Sequence, residues 1–154
     1  MTTIGDTAQR EIATTRVLDA PREVVWAAWT EPERVAQWWG PNGFTNTIHE
    51  MDVRPGGAWR FTMHGPDGTD YRNEIVYEEV VPPERLVYSH VSGPRFRMTA
   101  TFADLGGKTQ LAVQMLFDTA EQRDQAVARF GAVEGLNQTL GRLAALVAQD
   151  GGDR

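Results

Sequence analysis

Turn-forming residues interrupt the middle of the chain at regular intervals. Five such breakers lie between Phe44 and Phe117: Pro55-Gly56-Gly57, Pro66-Asp67-Gly68, Pro82-Pro83, Ser92-Gly93-Pro94 and Gly106-Gly107. Clusters of proline and glycine end regular structure, and the segments between them alternate apolar with polar residues, as strands do. The pattern predicts six strands, at 44–54, 58–64, 70–81, 85–91, 95–104 and 109–118. Because the connections are short, neighbouring strands are expected to pair antiparallel.

A seventh strand is predicted earlier in the chain, at residues 12–18. Alternation is clearest in the segment 95–104, where the apolar side chains share one face and arginines and threonines share the other. The sheet is therefore expected to have one apolar face, which must be covered, and one polar face. The residues assigned to the apolar face are Trp59, Phe61, Met63, Phe96, Met98, Ala100, Phe102, Leu111, Val113, Met115 and Phe117.

Four of the five tryptophans lie between Trp26 and Phe44. Pro21 suits the first turn of a helix, and Thr30 with Glu33 forms the pattern of a capping box, so two short helices are predicted there, the second ending near Gly40. Tryptophan is large and half polar. A cluster of tryptophans beside a tight turn is therefore typical of a cavity rim.

A long amphipathic helix is predicted after the last strand. Thr119 and Gln122 form a second capping box, and apolar residues then recur at three- and four-residue steps. Gly131, Gly135 and Gly141 interrupt this helix, which indicates a kink or a close approach to a bulky neighbour. Because one long helix must cover the apolar face of seven strands, the sheet is expected to curve around it. The predicted fold is α+β, a curved seven-stranded antiparallel sheet around a long C-terminal helix, with an apolar cleft beside the short helices.

Composition excludes several classes of protein. The chain has 154 residues, a formal charge of −6 and no cysteine. One domain is expected over residues 1–154, with an ordered core at about 10–149. An acidic chain without a basic patch argues against nucleic acid as a partner, and the lack of cysteine excludes disulfides and thiolate chemistry. No leader or membrane-spanning segment is apparent, so we expect a cytoplasmic protein without membrane insertion.

Three motifs follow one another in a specific order: DAPREVVWAAWTEPERVAQWWGP, MDVRPGGAWRFTMHGPDG and EEVVPPERLVYS. Together they resemble the bacterial homologues of the activator of heat-shock-protein-90 ATPase, within the START and Bet v 1-like superfamily, over residues 12 to 148. The resemblance implies the helix-grip fold, with an elongated cavity between a seven-stranded sheet and a C-terminal helix, in a superfamily that binds hydrophobic small molecules or, in its polyketide cyclase branch, transforms them. It implies no catalytic residue. Leu136 stands where a tryptophan is frequent and Ile75 where a glycine is common, and both bear on cavity shape.

The polar candidates for chemistry are few. The three histidines, His49, His64 and His90, lie on different predicted strands without metal-ligand spacing, so no metal site is expected. A carboxylate facing an apolar cleft would have a raised pKa and could act as a general acid or base, which makes Glu74, with His90, a candidate for proton transfer. No Ser-His-Asp spacing or phosphate-binding loop is apparent in the sequence.

Three hypotheses for function follow. The leading one is a binding protein for a small, mostly apolar ligand, aromatic or lipid-like, without a cofactor. The residues expected to line its site, with Tyr88 and His90 orienting the ligand, are Trp39, Trp59, Phe61, Tyr71, Tyr88, His90, Phe96, Met98 and Phe130. The alternatives are a cyclase- or hydrolase-type enzyme that uses the same cavity and a module that acts on a chaperone partner. Exposed hairpin edges also leave a homodimer open.

Overall fold

The structure is a computed structural model that describes residues 9–92 and 95–152, except for the side chains of Phe130 and of residues 150–152. The elements, in chain order, are β1 (Glu11–Leu18), α1 (Arg22–Thr30), α2 (Pro32–Trp38), β2 (Thr45–Met51), β3 (Ala58–His64), β4 (Asp70–Val81), β5 (Arg85–His90), β6 (Phe96–Asp104), β7 (Thr109–Leu116), α3 (Ala120–Phe130) and α4 (Ala132–Gly152). This order confirms the predicted sequence of strands and short helices.

All seven strands form one antiparallel sheet with the order β1-β7-β6-β5-β4-β3-β2. β2 to β7 follow one another as a meander, and β1 returns to pair with β7 at the far edge. The predicted apolar face is buried together with one side of α1, α2 and α4, and Leu140, Leu143 and Val147 on α4 are at most 1% exposed. The predicted helix-grip fold is thereby confirmed.

The junction between α1 and α2 differs from the prediction. Thr30 does not cap the second helix, because it is the last residue of α1 and its hydroxyl donates to the carbonyl of Trp26 at 2.8 Å. α2 begins at Pro32 with Glu31 as its N-cap and without a side-chain cap bond. Proline at the first helical position needs no partner for its missing N–H, so α2 begins without the capping box.

The C-terminal helix is two helices. α3 is capped by Thr119, whose hydroxyl accepts from the backbone N–H of Gln122 at 3.0 Å, as predicted. It ends at Gly131, which adopts the left-handed conformation with φ of 60°, a common way for a helix to end. The prediction of one long helix with a kink is therefore corrected at Gly131, where one helix ends and a second begins. α4 also continues to Gly152, past the expected limit at Gln149.

Gly141 is a glycine in the interior of α4 whose replacement should stabilise the protein. A Cβ built on Gly141 would meet its nearest neighbour, Arg16 Nη1, at 3.6 Å, an ordinary contact distance. Gly141→Ala is therefore expected to raise the free energy of unfolding by about 0.5–1 kcal/mol, because alanine loses less backbone entropy on folding. Urea unfolding measures this change. Gly131→Ala is the matched control and should lower stability, since an alanine there would keep a positive φ.

Candidate functional site

A cavity of about 210 Å³ opens between the apolar face of the sheet, the loop after α2 and the first turns of α4. Its walls are mainly aromatic and methionine side chains, and none of the described lining residues is Asp, Glu, Lys or Arg. The lining residues are Trp29, Trp38, Trp39, Gly40, Pro41, Phe61, Met63, Asn73, His90, Phe96, Met98, Met115, Ala132, Gly135, Leu136, Thr139 and Leu140.

One wall consists of three tryptophans from α1 and from the end of α2. Trp29 packs edge-to-face on Trp38 with ring centroids 5.0 Å apart, and Trp38 packs the same way on Trp39 at 5.2 Å. The indole N–H of Trp38 donates to the carbonyl of Ala28 at 2.8 Å, which fixes α2 against α1. Edge-to-face aromatic pairs add to the stability that their buried area provides. The wall is therefore rigid and preformed.

The loop that carries Trp39, Gly40 and Pro41 is held by Arg142 of α4. The Nη1 atom of Arg142 donates to the carbonyls of Gly40 at 2.9 Å and Pro41 at 3.0 Å, and Nη2 donates to the carbonyl of Gln37 at 3.1 Å. These carbonyls lie at or just after the C-terminus of α2, where a cation is favourable. Partial burial lowers the pKa of Arg142 from its ordinary value. One guanidinium thus joins the rim of the cavity to the helix that covers it.

The polar part of the cavity is formed by Asn73 and His90. Nε2 of His90 lies 2.7 Å from Oδ1 of Asn73, and the His90 ring stacks on Phe96 with centroids 5.0 Å apart. Because an amide oxygen only accepts hydrogen bonds, this contact assigns a proton to Nε2. Thr139, on α4, donates its hydroxyl proton to the carbonyl of Gly135 at 2.7 Å, so its oxygen can still accept. Polar contacts with a ligand are therefore confined to the side chains of Asn73, His90 and Thr139.

Below Trp39 lies a second layer of aromatic residues, which we call the aromatic floor: Trp59, Tyr77 and Tyr88. Each is 1% exposed, and each has a buried polar atom without a hydrogen-bond partner in the described structure: the indole nitrogen of Trp59 and the two tyrosine hydroxyls. Burial raises the pKa of both tyrosines, and the neighbouring Tyr77 raises that of Tyr88 further. Leaving such groups unpaired costs stability.

The family model described as "Activator of Hsp90 ATPase homolog 1-like protein" matches residues 19–148. The chain belongs to this family. No curated protein matches the chain.

Several solved structures share the fold. A protein from Chromobacterium violaceum is 31% identical, with 90% of this chain and 97% of that chain covered and a TM-score of 0.76. A protein from Arthrobacter aurescens is 24% identical, with 94% and 89% covered and a TM-score of 0.85. A protein from Aeromonas hydrophila, itself called AHSA1-like, is 22% identical, with 88% and 93% covered and a TM-score of 0.71. The last two show similarity of fold alone.

Five residues predicted for the ligand site line the cavity: Trp39, Phe61, His90, Phe96 and Met98. Three other predicted residues, Trp59, Tyr71 and Tyr88, do not line the cavity. Ligand binding by these five residues stays a prediction.

Three predicted ligand contacts are corrected by their positions. Trp59 and Tyr88 are buried in the aromatic floor, and the ring of Trp39, 4.8 Å from that of Trp59, packs over Trp59. Tyr71 is 46% exposed, its ring centroid lies 6.0 Å from that of Phe44, and it is outside the cavity that Asn73, two residues further along β4, lines. The side chain of Phe130 lies outside the described residues.

Glu74 is not in the cavity. Its carboxylate lies on the outer face of the sheet, 3.8 Å from the guanidinium of Arg60, and its side chain is 43% exposed. The reason is the alternation of β4, since the neighbouring Ile75 is completely buried on the inner face. The proposed acid–base role in the cavity is therefore wrong for Glu74. His90 remains the titratable candidate among the described lining residues.

Sequence analysis linked Leu136 to the shape of the cavity but assigned no site role to Asn73, Thr139 or Leu140, which also line it. Asn73 lies two positions before Ile75 and thus on the inner face of β4, although a lone asparagine in a strand suggested no role. Leu136, Thr139 and Leu140 repeat at helical spacing on α4. Arg142 was also missed, because its role depends on backbone carbonyls, which have no signature in a sequence.

Two further features of the described residues are relevant to the site. No helix in the described ranges is long and apolar enough to span a membrane. Across the same residues, no three His, Asp or Glu side chains converge as metal ligands would.

Proposed function

We propose that this protein binds a neutral aromatic molecule of one or two rings in the cavity between the sheet and α4. Size is the first argument. A cavity of about 150 Å³ with apolar walls is enough to bind benzene. The 210 Å³ cavity therefore admits one substituted ring or a compact fused pair, and it is too small for an extended lipid chain without rearrangement.

Charge is the second argument. A charged group placed among tryptophan, phenylalanine and methionine side chains would lose its hydration without gaining a partner of opposite charge. A neutral ligand avoids this penalty. One polar substituent can be accommodated beside Asn73, His90 or Thr139. The observation that carries the proposal is the combination of aromatic walls with no Asp, Glu, Lys or Arg among the described lining residues.

Acetophenone, benzoate and protonated benzylamine form a suitable set of probes, because they are similar in size and differ in charge. We expect acetophenone to bind saturably and to shift the indole N–H resonances of Trp38 and Trp39 in ¹H–¹⁵N spectra. Benzoate and benzylammonium should bind at least tenfold more weakly, since about 1.4 kcal/mol of uncompensated desolvation is enough for that ratio. If none of the three binds saturably, the proposal fails.

Leu136→Trp tests the location of the site. Leu136 lines the cavity, so a tryptophan there is expected to fill part of it and to weaken acetophenone binding at least tenfold. Val133→Trp is the matched control, because Val133 lies one turn earlier on α4, is 40% exposed and is outside the lining. Titration calorimetry on both variants measures the difference. Equal affinity in the two variants would locate any binding elsewhere.

A second candidate, a cyclase- or hydrolase-type enzyme, is favoured by one observation: His90 is buried and lines the cavity. A histidine in that position could remove a proton next to the carbonyl of a bound ketone. In heavy water, such an enzyme would speed the exchange of the methyl protons of acetophenone for deuterium, and His90→Gln would abolish the increase. Binding without exchange would leave the binding protein as the function.

The family description supplies a third candidate, a module that acts on a chaperone. Such a module needs an exposed apolar or charged docking surface. The exposed large apolar residues in the described chain are spread over β1, β4, the turn between β6 and β7, and α4: Val17, Tyr71, Val81, Leu105 and Val133. Isolated apolar residues are normal on protein surfaces, so the structure favours the cavity over this candidate.

A further inference from the structure

A second constellation of chemistry-bearing residues lies on the opposite, outer face of the sheet. Thr47 of β2, His64 of β3 and Asp70 of β4 form a hydrogen-bonded row across three adjacent strands. Oγ1 of Thr47 is 2.8 Å from Nε2 of His64, and Nδ1 of His64 is 2.7 Å from Oδ1 of Asp70. Hydroxyl, imidazole and carboxylate therefore follow one another in the order of a nucleophile, its base and the group that orients the base.

The roles of the two imidazole nitrogens follow from their partners. An ionised carboxylate only accepts hydrogen bonds, so Nδ1 of His64 carries the proton that Asp70 accepts. In the neutral ring Nε2 then has a free electron pair, and the hydroxyl of Thr47 donates to it. This is the tautomer that a general base needs in order to take a proton from a hydroxyl.

The strands fix this geometry. His64 is paired across β3 and β4 directly with Asp70, and Thr47 is two residues along β2 from Thr45, the residue paired with His64. The connection between β3 and β4 is a tight turn, closed by the N–H of Gly65 donating to the carbonyl of Thr69 at 2.8 Å. Side chains on strands are held more precisely than side chains on loops.

The row opens onto a groove of about 660 Å³, which also contains Arg60, Arg72, Glu74 and Ser92. Thr47 and Asp70 are exposed and His64 is half-buried, so a small substrate and water both reach the row. Arg60 is paired with Glu50 at 3.0 Å. The guanidinium of Arg72 makes no hydrogen bond or ion pair within the described residues, and so it is available to stabilise negative charge.

We propose that Thr47, His64 and Asp70 form a hydrolytic site for small carboxylic esters. Nε2 of His64 takes the hydroxyl proton while Oγ1 of Thr47 bonds to the ester carbonyl carbon, whose oxygen becomes negative next to Arg72. The intermediate collapses, the bond to the leaving oxygen breaks, and that oxygen takes the proton from His64. A water molecule, deprotonated by His64, then attacks the acyl-threonine, which releases the acid and restores Thr47.

The same groove contains a natural control. Nε2 of His49 is 2.9 Å from Oγ1 of Thr62, so a second histidine contacts a second threonine. No carboxylate contacts His49 within the described residues, and Thr62 is only 9% exposed. If a histidine beside a threonine were sufficient, both pairs would react. If the carboxylate and access are required, only Thr47 should react.

Hydrolysis of p-nitrophenyl acetate by the full chain tests the proposal. We expect release of nitrophenol at least tenfold faster with the protein than with His64→Gln or Thr47→Val, and a tenfold or larger decrease in Asp70→Asn. His49→Gln should retain the activity. Mass spectrometry of peptides after rapid acid quenching should find the acetyl group on Thr47 and not on Thr62.

Several results would overturn the proposal. These are a wild-type rate equal to that of His64→Gln, an equal loss in His49→Gln, or acetylation that is absent from Thr47. The replaced side chains lie on the outer face, and thermal unfolding of each variant should confirm an intact fold. Acetophenone binding in the cavity should be unchanged in all four variants, which separates failure of this site from failure of the binding function.

Discussion

Replacing Arg142 with methionine is expected to lower the free energy of unfolding by about 2–4 kcal/mol. The guanidinium donates to the carbonyls of Gln37, Gly40 and Pro41, and these bonds tie α4 to the cavity rim. Hydrogen bonds to charged groups contribute about 1.5–3 kcal/mol each. The expected loss in the free energy of unfolding is smaller than the sum of these bonds, because the region is partly accessible to water and water replaces some of the lost partners. Methionine keeps most of the aliphatic packing. Urea unfolding at neutral pH measures the effect.

Two other variants separate the geometry of Arg142 from its charge. Arg142→Lys keeps the positive charge but cannot reach several carbonyls with a planar fork, so an intermediate loss is expected. Arg129→Met removes an exposed arginine in the last turn of α3 and should change stability by less than about 0.5 kcal/mol. In Arg142→Met the indole signals of Trp39 should also broaden, because its loop is no longer held. Unchanged stability in this variant would contradict the role assigned to Arg142.

Stability should fall steeply when the pH is raised above 10. Burial raises the pKa of Tyr77 and Tyr88 in the folded protein, while both titrate near pH 10 in the unfolded chain. Below pH 10 both tyrosines are protonated in the folded and in the unfolded protein, so their full contribution to stability is present. Above pH 10 the unfolded chain releases them and the folded protein does not, so the free energy of unfolding falls by about 1.4 kcal/mol per pH unit for each tyrosine.

The sequence makes this alkaline effect easy to isolate. The chain has three tyrosines and a single lysine, Lys108, in the exposed turn between β6 and β7. Tyr88→Phe is expected to remove about half of the slope above pH 10. At pH 7 it should raise stability by about 1 kcal/mol, because it deletes a buried hydroxyl without a partner. Tyr71→Phe, at a 46% exposed position, is the control. Equal slopes in wild type and Tyr88→Phe would disprove the assignment.

Most of the fold could be predicted because strands and turns are encoded locally. Each predicted strand reappears within a few residues of its expected limits, since proline and glycine clusters end strands whatever surrounds them. The break at Gly131 could not be predicted in the same way. Gly131, Gly135 and Gly141 look alike in the sequence, and only Gly131 has a positive φ. Which glycine ends a helix depends on how the helix packs.

The candidate site was predicted less completely, for a geometrical reason. Alternation tells which face of the sheet a residue occupies but not how far along the strand the cavity extends. Tyr71 and Asn73 both lie on the inner side of β4, yet Tyr71 is exposed beyond the end of the cavity and Asn73 lines it. The pairing of His64 with Asp70 was missed because it depends on the register between β3 and β4, which a sequence pattern leaves open.

The pairing of β1 with β7 has a consequence for how the protein is made. Glu11 lies opposite Leu116, so the first strand has no partner until more than a hundred further residues have left the ribosome. The meander from β2 to β7 can assemble during synthesis from neighbouring segments, whereas β1 can join the sheet only after β7 has been synthesised. Closure of the sheet is thus among the last steps of biosynthesis, and until then the exposed edge of β7 is open to pairing with other nascent chains.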